Sequence, residues 1–164
     1  IFSDDAGSAY TRWTTAKVAF AIIADHPFIG VGINNYGTML KDYWISEDRF
    51  TRKAAVHNTY LLVASEIGLI GFGAYMWFLI AFYFRTKKAI ASSSQYFSSI
   101  AIGVMGGLAA FALTALSDKS YKESYPVLLL FWGLAAVIEG INRINEQKQA
   151  EKMMWFGRSN LNDF

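Results

Sequence analysis

Three long apolar runs, separated by short polar segments, dominate the second part of the sequence. At a helical rise of about 1.5 Å per residue, residues 61–84 reach roughly 36 Å and residues 97–116 roughly 30 Å, each enough to cross the hydrocarbon core of a bilayer. The third run, residues 126–141, reaches roughly 24 Å and needs its polar neighbours to complete a crossing. The pattern predicts an all-α, polytopic transmembrane helical protein with about three membrane spans, at residues 61–84, 97–116 and 125–142.

Residues 1–60 mix polar and apolar positions, and they predict an external loop that carries an amphipathic helix. We expect this helix over residues 9–25, with Ser8 as its N-cap and with Pro27 ending it, because proline disfavours helical geometry at the residue before it. Four residues recur at helical spacing: Trp13, Lys17, Phe20 and Ala24. The apolar part of this helix is too short to cross a bilayer, so we expect it to lie on the membrane face or to pack on the spans. Residues 38–56 show no clear period, and their secondary structure stays open.

Basic residues beside the spans predict the orientation, because Lys and Arg are retained on the cytoplasmic side. The segment after the first run, residues 85–96, is basic and contains no acidic residue. The tail is basic close to the last span as well, whereas acidic and basic residues balance in residues 1–60. We therefore expect a periplasmic catalytic loop at residues 1–60, membrane helices within residues 61–141 and a cytoplasmic tail at residues 142–164.

The composition agrees with a membrane protein, since 54% of the 164 residues are hydrophobic and 16% are aromatic. The net charge of +2 creates no overall field of the kind that nucleic-acid binding proteins use. The absence of cysteine excludes disulfides and thiolate metal sites. The sequence opens at Ile1 without the pattern of a signal peptide, so we expect it to be the C-terminal part of a longer polypeptide whose N-terminal helices are its partners.

Arg12 is the first candidate for chemistry. An arginine in the first turns of a helix opposes the macrodipole unless an anion lies nearby, and its guanidinium fork matches phosphate geometry. The ordinary alternative is an arginine that is solvated or reaches lipid headgroups beside Trp13. Arg49 and Arg52 add basic charge further along the loop. Lipid headgroups are the commoner partners of such residues, so these two rank second as anion contacts.

The turn around Pro27, Gly30 and Gly32 is the second candidate. The proline bends the chain, and the glycines permit another backbone to approach closely. Such a turn either frames a phosphate or joins two packed elements. A Gly-x-Gly pair without the rest of a nucleotide fingerprint does not support cofactor binding, so the second interpretation is favoured.

His57 stands just before the first span and is the best candidate for a general base, because a neutral imidazole accepts a proton near physiological pH. The ordinary alternative is a structural histidine at the membrane interface. No carboxylate or cysteine stands at metal-ligand spacing from His57 or His26, so a zinc site is not favoured. Glu66 lies near the outer end of a span, where an ionisable group suggests function, although solvation at the interface also explains it. Nine residues separate it from His57, which puts the two on opposite faces of an ideal helix.

Taken together, these residues form a series of motifs in a fixed order. They are Arg12-x-x-x-Ala16, then His26-Pro27-Phe28-Ile29-Gly30-Val31-Gly32 with Asn35-Tyr36, then His57-Asn58-Thr59-Tyr60-Leu61, then Glu66-x-Gly68-Leu69-x-Gly71. The series resembles the O-antigen ligase and O-antigen polymerase family over residues 8–75. Its most specific element is the Pro-x-x-Gly-x-Gly turn followed by His-Asn-x-x-Leu.

The resemblance implies a metal-independent glycosyltransferase without a cofactor, in the bacterial inner membrane, with its active site on the periplasmic face. It implies that Arg12 steadies the diphosphate of an undecaprenyl diphosphate-linked glycan, with Arg49 and Arg52 as further contacts. His57 then deprotonates the acceptor hydroxyl, and the sugar is transferred with inversion. Three residues support the site: Asn58, Tyr60 and Glu66. The implied partners are the lipid-linked glycan, a lipid A-core or other glycan acceptor, and membrane lipids, with no nucleic acid.

Several functions stay open at this point. Within the same class, the chain is an O-antigen ligase, an O-antigen or exopolysaccharide polymerase, or a protein O-oligosaccharyltransferase, which differ in the acceptor. The alternative of another class is a non-catalytic membrane transport or scaffold module. It is motivated by the few ionisable residues in the spans, Glu66 and Glu139.

Overall fold

The computed structural model describes residues 3–43, 56–92, 94–117 and 125–161. Every regular element in these ranges is an α-helix, which confirms the predicted fold class. The helices are α1 (Ser3–Asp25), α2 (Tyr36–Tyr43), α3 (Thr59–Ile90), α4 (Gln95–Thr114) and α5 (Tyr125–Leu161).

The contacts within the chain define two compact units. Residues 1–79 and 110–125 form the first unit, and residues 80–109 and 126–164 form the second. The first unit contains α1, α2 and the start of α3, and the described candidate residues before Glu139 belong to it.

Helix α1 ends where the sequence predicts and begins earlier. The amide of His26 donates to the carbonyl of Ile22 at 2.8 Å, and Pro27 then stops the helix. The prediction of Ser8 as the N-cap is wrong, because α1 begins at Ser3 and Ser8 lies inside it.

The face of α1 that packs is not the predicted stripe. Trp13, Lys17, Phe20 and Ala24 are all exposed. The buried positions repeat at the same spacing on another face: Thr15, Val18, Ala19 and Ile22. This face joins one hydrophobic cluster with the other elements of the first unit, including Tyr36 and Leu40 of α2 and Leu62 of α3. Helix α1 therefore packs on α2 with this face, and the predicted stripe, which includes Trp13 and Phe20, faces outward.

Helix α2 lies at the start of the segment whose secondary structure the sequence left open. Tyr36 and Leu40 are one turn apart and both are fully buried against α1. At the other end of α2, the hydroxyl of Tyr43 donates to Asp25 at 2.7 Å, and this bond raises the pKa of the Tyr43 phenol. Two turns are too short for a clear period, so only the tertiary contacts identify this helix.

Two of the described helices, α3 and α4, are long and apolar enough to cross a membrane. They cover the first two predicted spans. The third span, residues 125–142, stays a prediction, and α5 continues from it through the tail to Leu161. The described part of the tail, residues 142–161, is thus helical.

The second unit joins the end of α3 to the middle of α5 through polar contacts. Arg85 pairs with Glu139 at 2.5 Å, and Lys88 pairs with Glu146 at 2.7 Å. The side-chain amide of Asn142, which is fully buried, donates to the carbonyl of Arg85 at 3.0 Å. Glu139 therefore serves as an ion-pair partner in this unit.

Candidate functional site at the start of α3

Arg12 and His57, the two principal candidates from the sequence, line the same cleft of the first unit. The cleft has a volume of about 420 Å³. Its lining residues come from α1, from the segment before α3, from α3 itself and from the residues after α4: Arg12, Trp13, Ala16, Val56, His57, Asn58, Leu61, Leu116 and Ser117. One cation and one imidazole thus face a cleft with mostly apolar walls.

Asn58 defines where α3 begins and thereby positions His57. Its side-chain oxygen accepts a hydrogen bond from the amide of Leu61 at 3.0 Å, which is the geometry of an N-cap. Val56, on the other side of His57, is buried in the hydrophobic cluster of the first unit. The backbone of His57 is therefore anchored on both sides, while its imidazole stays half-exposed at the cleft.

The same motif also binds the end of α4. Three groups donate in succession to carbonyls near that end: the side-chain amide of Asn58 to Leu116 at 3.0 Å, the amide of Thr59 to Ala115 at 2.8 Å, and the hydroxyl of Tyr60 to Ala112 at 3.0 Å. The last carbonyls of a helix lack partners within it, so these bonds satisfy groups that would otherwise be open. Asn58 and Tyr60 thus hold the start of α3 to the residues at the end of α4, and their supporting role in a catalytic site stays a prediction.

Arg12 lies in the interior of α1, with its side chain exposed. The argument that it opposes the macrodipole in the first turns of a helix is wrong, because α1 begins well before it. Within the described ranges, its guanidinium has no carboxylate partner at ion-pair distance. The neighbouring Lys17 is instead engaged, with its ammonium 5.2 Å from the centre of the Trp13 ring. Arg12 is therefore the cation at the cleft that is available to an anion.

Tyr36 connects α1 to α3 behind the cleft, and the sequence did not single it out as a site residue. Its hydroxyl donates to the carbonyl of Thr15 at 2.7 Å, and Thr15 in turn donates to the carbonyl of Arg12 at 3.0 Å. Its backbone amide donates to the carboxylate of Glu66 at 3.4 Å. Burial raises the pKa of the Tyr36 phenol, so the phenol stays protonated and donating. The only sequence signal for Tyr36 is its place in the motif series.

Glu66 is buried, so its interpretation as a group solvated at the membrane interface is wrong. It lies one turn beyond Leu62 on α3, and its carboxylate faces the start of α2. It is not among the lining residues of the cleft. Glu66 thus contacts the backbone of Tyr36, and the first turns of α3 separate it from His57.

The turn around Pro27, Gly30 and Gly32 joins two packed elements, as the sequence favoured. Helix α3 is interrupted at Gly68, whose φ of 69° lies in the left-handed region, and the turn runs alongside this break. Four hydrogen bonds connect the two backbones: Val31 N to Ser65 O, Gly32 N to Glu66 O, Leu69 N to Pro27 O and Ile70 N to Phe28 O. Because the amides of Val31 and Gly32 donate to α3, they are not available to a phosphate.

Three candidates remain: Arg49, Arg52 and His26. Arg49 and Arg52 lie outside the described residues. His26 is exposed at the end of α1 and does not line the cleft. Of the sequence candidates with described side chains, the structure brings together Arg12, His57 and Asn58.

Comparison with known proteins gives one match. Residues 2–76 match the family model described as O-antigen ligase. The matched segment contains α1, α2, the first part of α3 and every lining residue of the cleft except Leu116 and Ser117. No curated protein and no solved structure matches the chain.

Proposed function

We propose, because residues 2–76 belong to the O-antigen ligase family, that this chain carries the catalytic region of a membrane glycosyltransferase. The reaction transfers a glycan from undecaprenyl diphosphate to an acceptor hydroxyl at the outer face of the bacterial inner membrane. O-antigen ligation to lipid A-core is the form of this reaction that we favour. The observation that carries the proposal is the presence of Arg12 and His57 on one cleft.

The proposed step is a single displacement at the anomeric carbon of the donor sugar. The acceptor oxygen forms a bond to this carbon as the bond to the diphosphate oxygen breaks, and the configuration inverts. His57 takes the proton from the acceptor hydroxyl, and the electron pair of the broken bond leaves on undecaprenyl diphosphate. A positioned general base contributes roughly 10²–10⁴-fold to such a step.

Arg12 has the complementary task in this proposal. A guanidinium remains charged at any physiological pH and binds two phosphate oxygens at once, so it stabilises the negative charge that develops on the leaving group. A stabilising group of this kind typically contributes about 10²–10³-fold to the rate. Arg49 and Arg52 are proposed as further contacts of the diphosphate.

The position of the cleft along α3 suits this substrate. The cleft lies at the first residues of a helix that is apolar enough to cross a membrane. The diphosphate of a polyprenyl donor lies at the headgroup level, because its lipid chain stays in hydrocarbon and its charge stays in water. The proposal therefore places the base and the cation on the outer side of the bilayer, beyond the charge-free part of α3.

The proposal is tested by transfer assays with the full-length protein in a strain that lacks its own enzyme. We expect R12A and H57A to abolish capped lipid on a polysaccharide gel while the protein still inserts in the membrane. The matched controls are K17A, an exposed cation on the same helix, and H26A, an exposed histidine away from the cleft. Both controls should retain transfer. Intact transfer by R12A and H57A would show that the mechanism is wrong.

The acceptor is decided by a second readout in the same strains. Glycan on lipid A-core identifies a ligase, elongation of the lipid-linked glycan identifies a polymerase, and glycan on protein identifies an oligosaccharyltransferase. A full-length protein that binds no undecaprenyl diphosphate-linked glycan would instead support a transport or scaffold module.

A further inference from the structure

The turn that follows α1 presents large apolar side chains to its surroundings. Phe28, Ile29 and Ile33 are 68%, 79% and 78% exposed. We propose that these three side chains insert into the lipid bilayer beside α3, so that the segment of residues 26–35, here named the glycine turn, is a membrane anchor. This inference depends on α3 being a membrane helix and is independent of the proposed transfer reaction.

The glycine turn lies next to an apolar surface of α3. The carbonyls of Pro27 and Phe28 accept hydrogen bonds from Leu69 and Ile70, so the turn is level with these two residues. The side chains of Leu69 and Ile70 are themselves exposed, at 50% and 67%. The surface of the turn therefore continues the outer surface of α3.

This level coincides with the start of a charge-free stretch of α3. Residues 69–84 contain no ionisable Asp, Glu, Lys or Arg and extend roughly 24 Å as a helix, most of the thickness of a hydrocarbon core. Glu66, the nearest carboxylate before this stretch, is turned inward and buried. A bilayer that surrounds residues 69–84 thus begins where the glycine turn is attached.

The backbone of the glycine turn meets the main condition for contact with lipid. Non-helical backbone is tolerated in a membrane only where protein satisfies its polar groups. Six backbone hydrogen bonds hold the turn to α3 or close it on itself: Gly30 N to His26 O, Val31 N to Ser65 O, Gly32 N to Glu66 O, Asn35 N to Gly32 O, Leu69 N to Pro27 O and Ile70 N to Phe28 O. The side-chain amide of Asn35 also donates to the carbonyl of Val31 at 2.9 Å. The turn is thus held to α3 through its backbone, while the side chains of Phe28, Ile29 and Ile33 are exposed.

Two other environments are possible for this surface, water and a protein partner. Water is disfavoured because three neighbouring large apolar side chains would remain hydrated, whereas soluble loops keep such side chains scattered. Lipid is favoured over a protein partner because the surface is continuous with that of an apolar membrane helix. Both alternatives are outcomes of the test below.

The test uses the absence of cysteine from this chain. Single variants I29C and I33C of the full-length protein, with any cysteine elsewhere replaced, carry a nitroxide label in vesicles of phosphatidylethanolamine and phosphatidylglycerol. Collision rates with oxygen, which concentrates in lipid, and with a water-soluble nickel chelate report the environment. W77C, an exposed position within the charge-free stretch, is the lipid reference, and K41C, an exposed position on α2, is the water reference.

We expect the oxygen-to-nickel collision ratio at I29C and I33C to exceed that at K41C several-fold and to approach that at W77C. A ratio equal to that at K41C would place the turn in water and overturn the proposal. Low collision rates with both reagents would indicate a protein partner and would overturn it as well. The W77C variant verifies membrane insertion under the same reconstitution conditions, and retained glycan transfer by the labelled I29C and I33C variants separates this test from that of the proposed function.

Discussion

The close contact between the glycine turn and the break in α3 gives the sharpest prediction for stability. The variant G30A adds one methyl group where the two backbones meet. Gly30 has a φ of 65°, and a Cβ atom there would lie 2.5 Å from both the carbonyl carbon and the carbonyl oxygen of Glu66. Both obstacles are backbone atoms, so no side-chain rotation relieves the overlap.

The expected loss of stability in G30A has two parts. An alanine in the left-handed region costs roughly 1–2 kcal/mol. The turn must also withdraw from α3, which weakens the hydrogen bonds of Val31 to Ser65 and of Gly32 to Glu66, each worth about 1 kcal/mol net. We therefore expect G30A to lower the free energy of unfolding by about 3–4 kcal/mol, a large share of the stability of a typical domain.

The measurement is the thermal denaturation of the full-length protein in detergent, followed by its monodisperse peak in size-exclusion chromatography. The matched control is G37A in α2, where an added Cβ meets no atom within 4 Å. An alanine within a helix is favoured over glycine by up to about 1 kcal/mol, so G37A should match or exceed the parent protein. If G30A and G37A denature at the same temperature, the two backbones do not pack as described and the reasoning is refuted.

Three further predictions concern the supports of the cleft and of α5. The variant Y36F removes the hydroxyl that binds the backbone of α1, so we expect the free energy of unfolding to fall by about 1–2 kcal/mol in thermal denaturation. Glycan transfer should be reduced as well. Unchanged values in both assays would contradict the link between α1 and α3. For Asn58, N58A removes both the N-cap acceptor and the donor to the Leu116 carbonyl, so we expect the free energy of unfolding to fall by about 1–2 kcal/mol in thermal denaturation. A melting temperature equal to that of the parent protein would show that these bonds do not stabilise the start of α3. The hydrogen bond from Lys88 lowers the pKa of Glu146, so this pair stabilises the protein above the ordinary pKa of glutamate and its contribution is lost as the pH falls through the lowered pKa. The difference in melting temperature between the parent protein and E146Q should therefore be small, decrease with salt and disappear in acid, and a difference that persists in acid would contradict the pairing.

Helix ends with a strong local signal were predicted well. Pro27 ends α1 because proline acts on the residue immediately before it, whatever the rest of the chain does. The start of α1 was misplaced because Ser8 is equally compatible with an N-cap and with a helix interior, and only the residues before it decide between the two. The short helix α2 was missed because its two buried residues have no partners within their own segment.

The residues of the candidate site were also predicted only in part. The sequence identified Arg12 and His57 by residue type and by motif order, and it favoured the packing role of the glycine turn. It misjudged Glu66, because the burial of a carboxylate depends on which element covers it. It also passed over Tyr36, whose importance lies in bonds to two helices that are distant along the chain.

The sequence by itself determined the helical class, two helices apolar enough to cross a membrane, and the family motifs, because each of these depends on composition and on spacing within one segment. The tertiary structure alone decided that Arg12 and His57 share a cleft, that the outward face of α1 is the aromatic one, and that Gly30 and Gly68 meet at a break in α3. These features depend on hydrogen bonds and close contacts between segments far apart in sequence, and the spacing of residues within one segment does not specify which other segment will satisfy its buried groups.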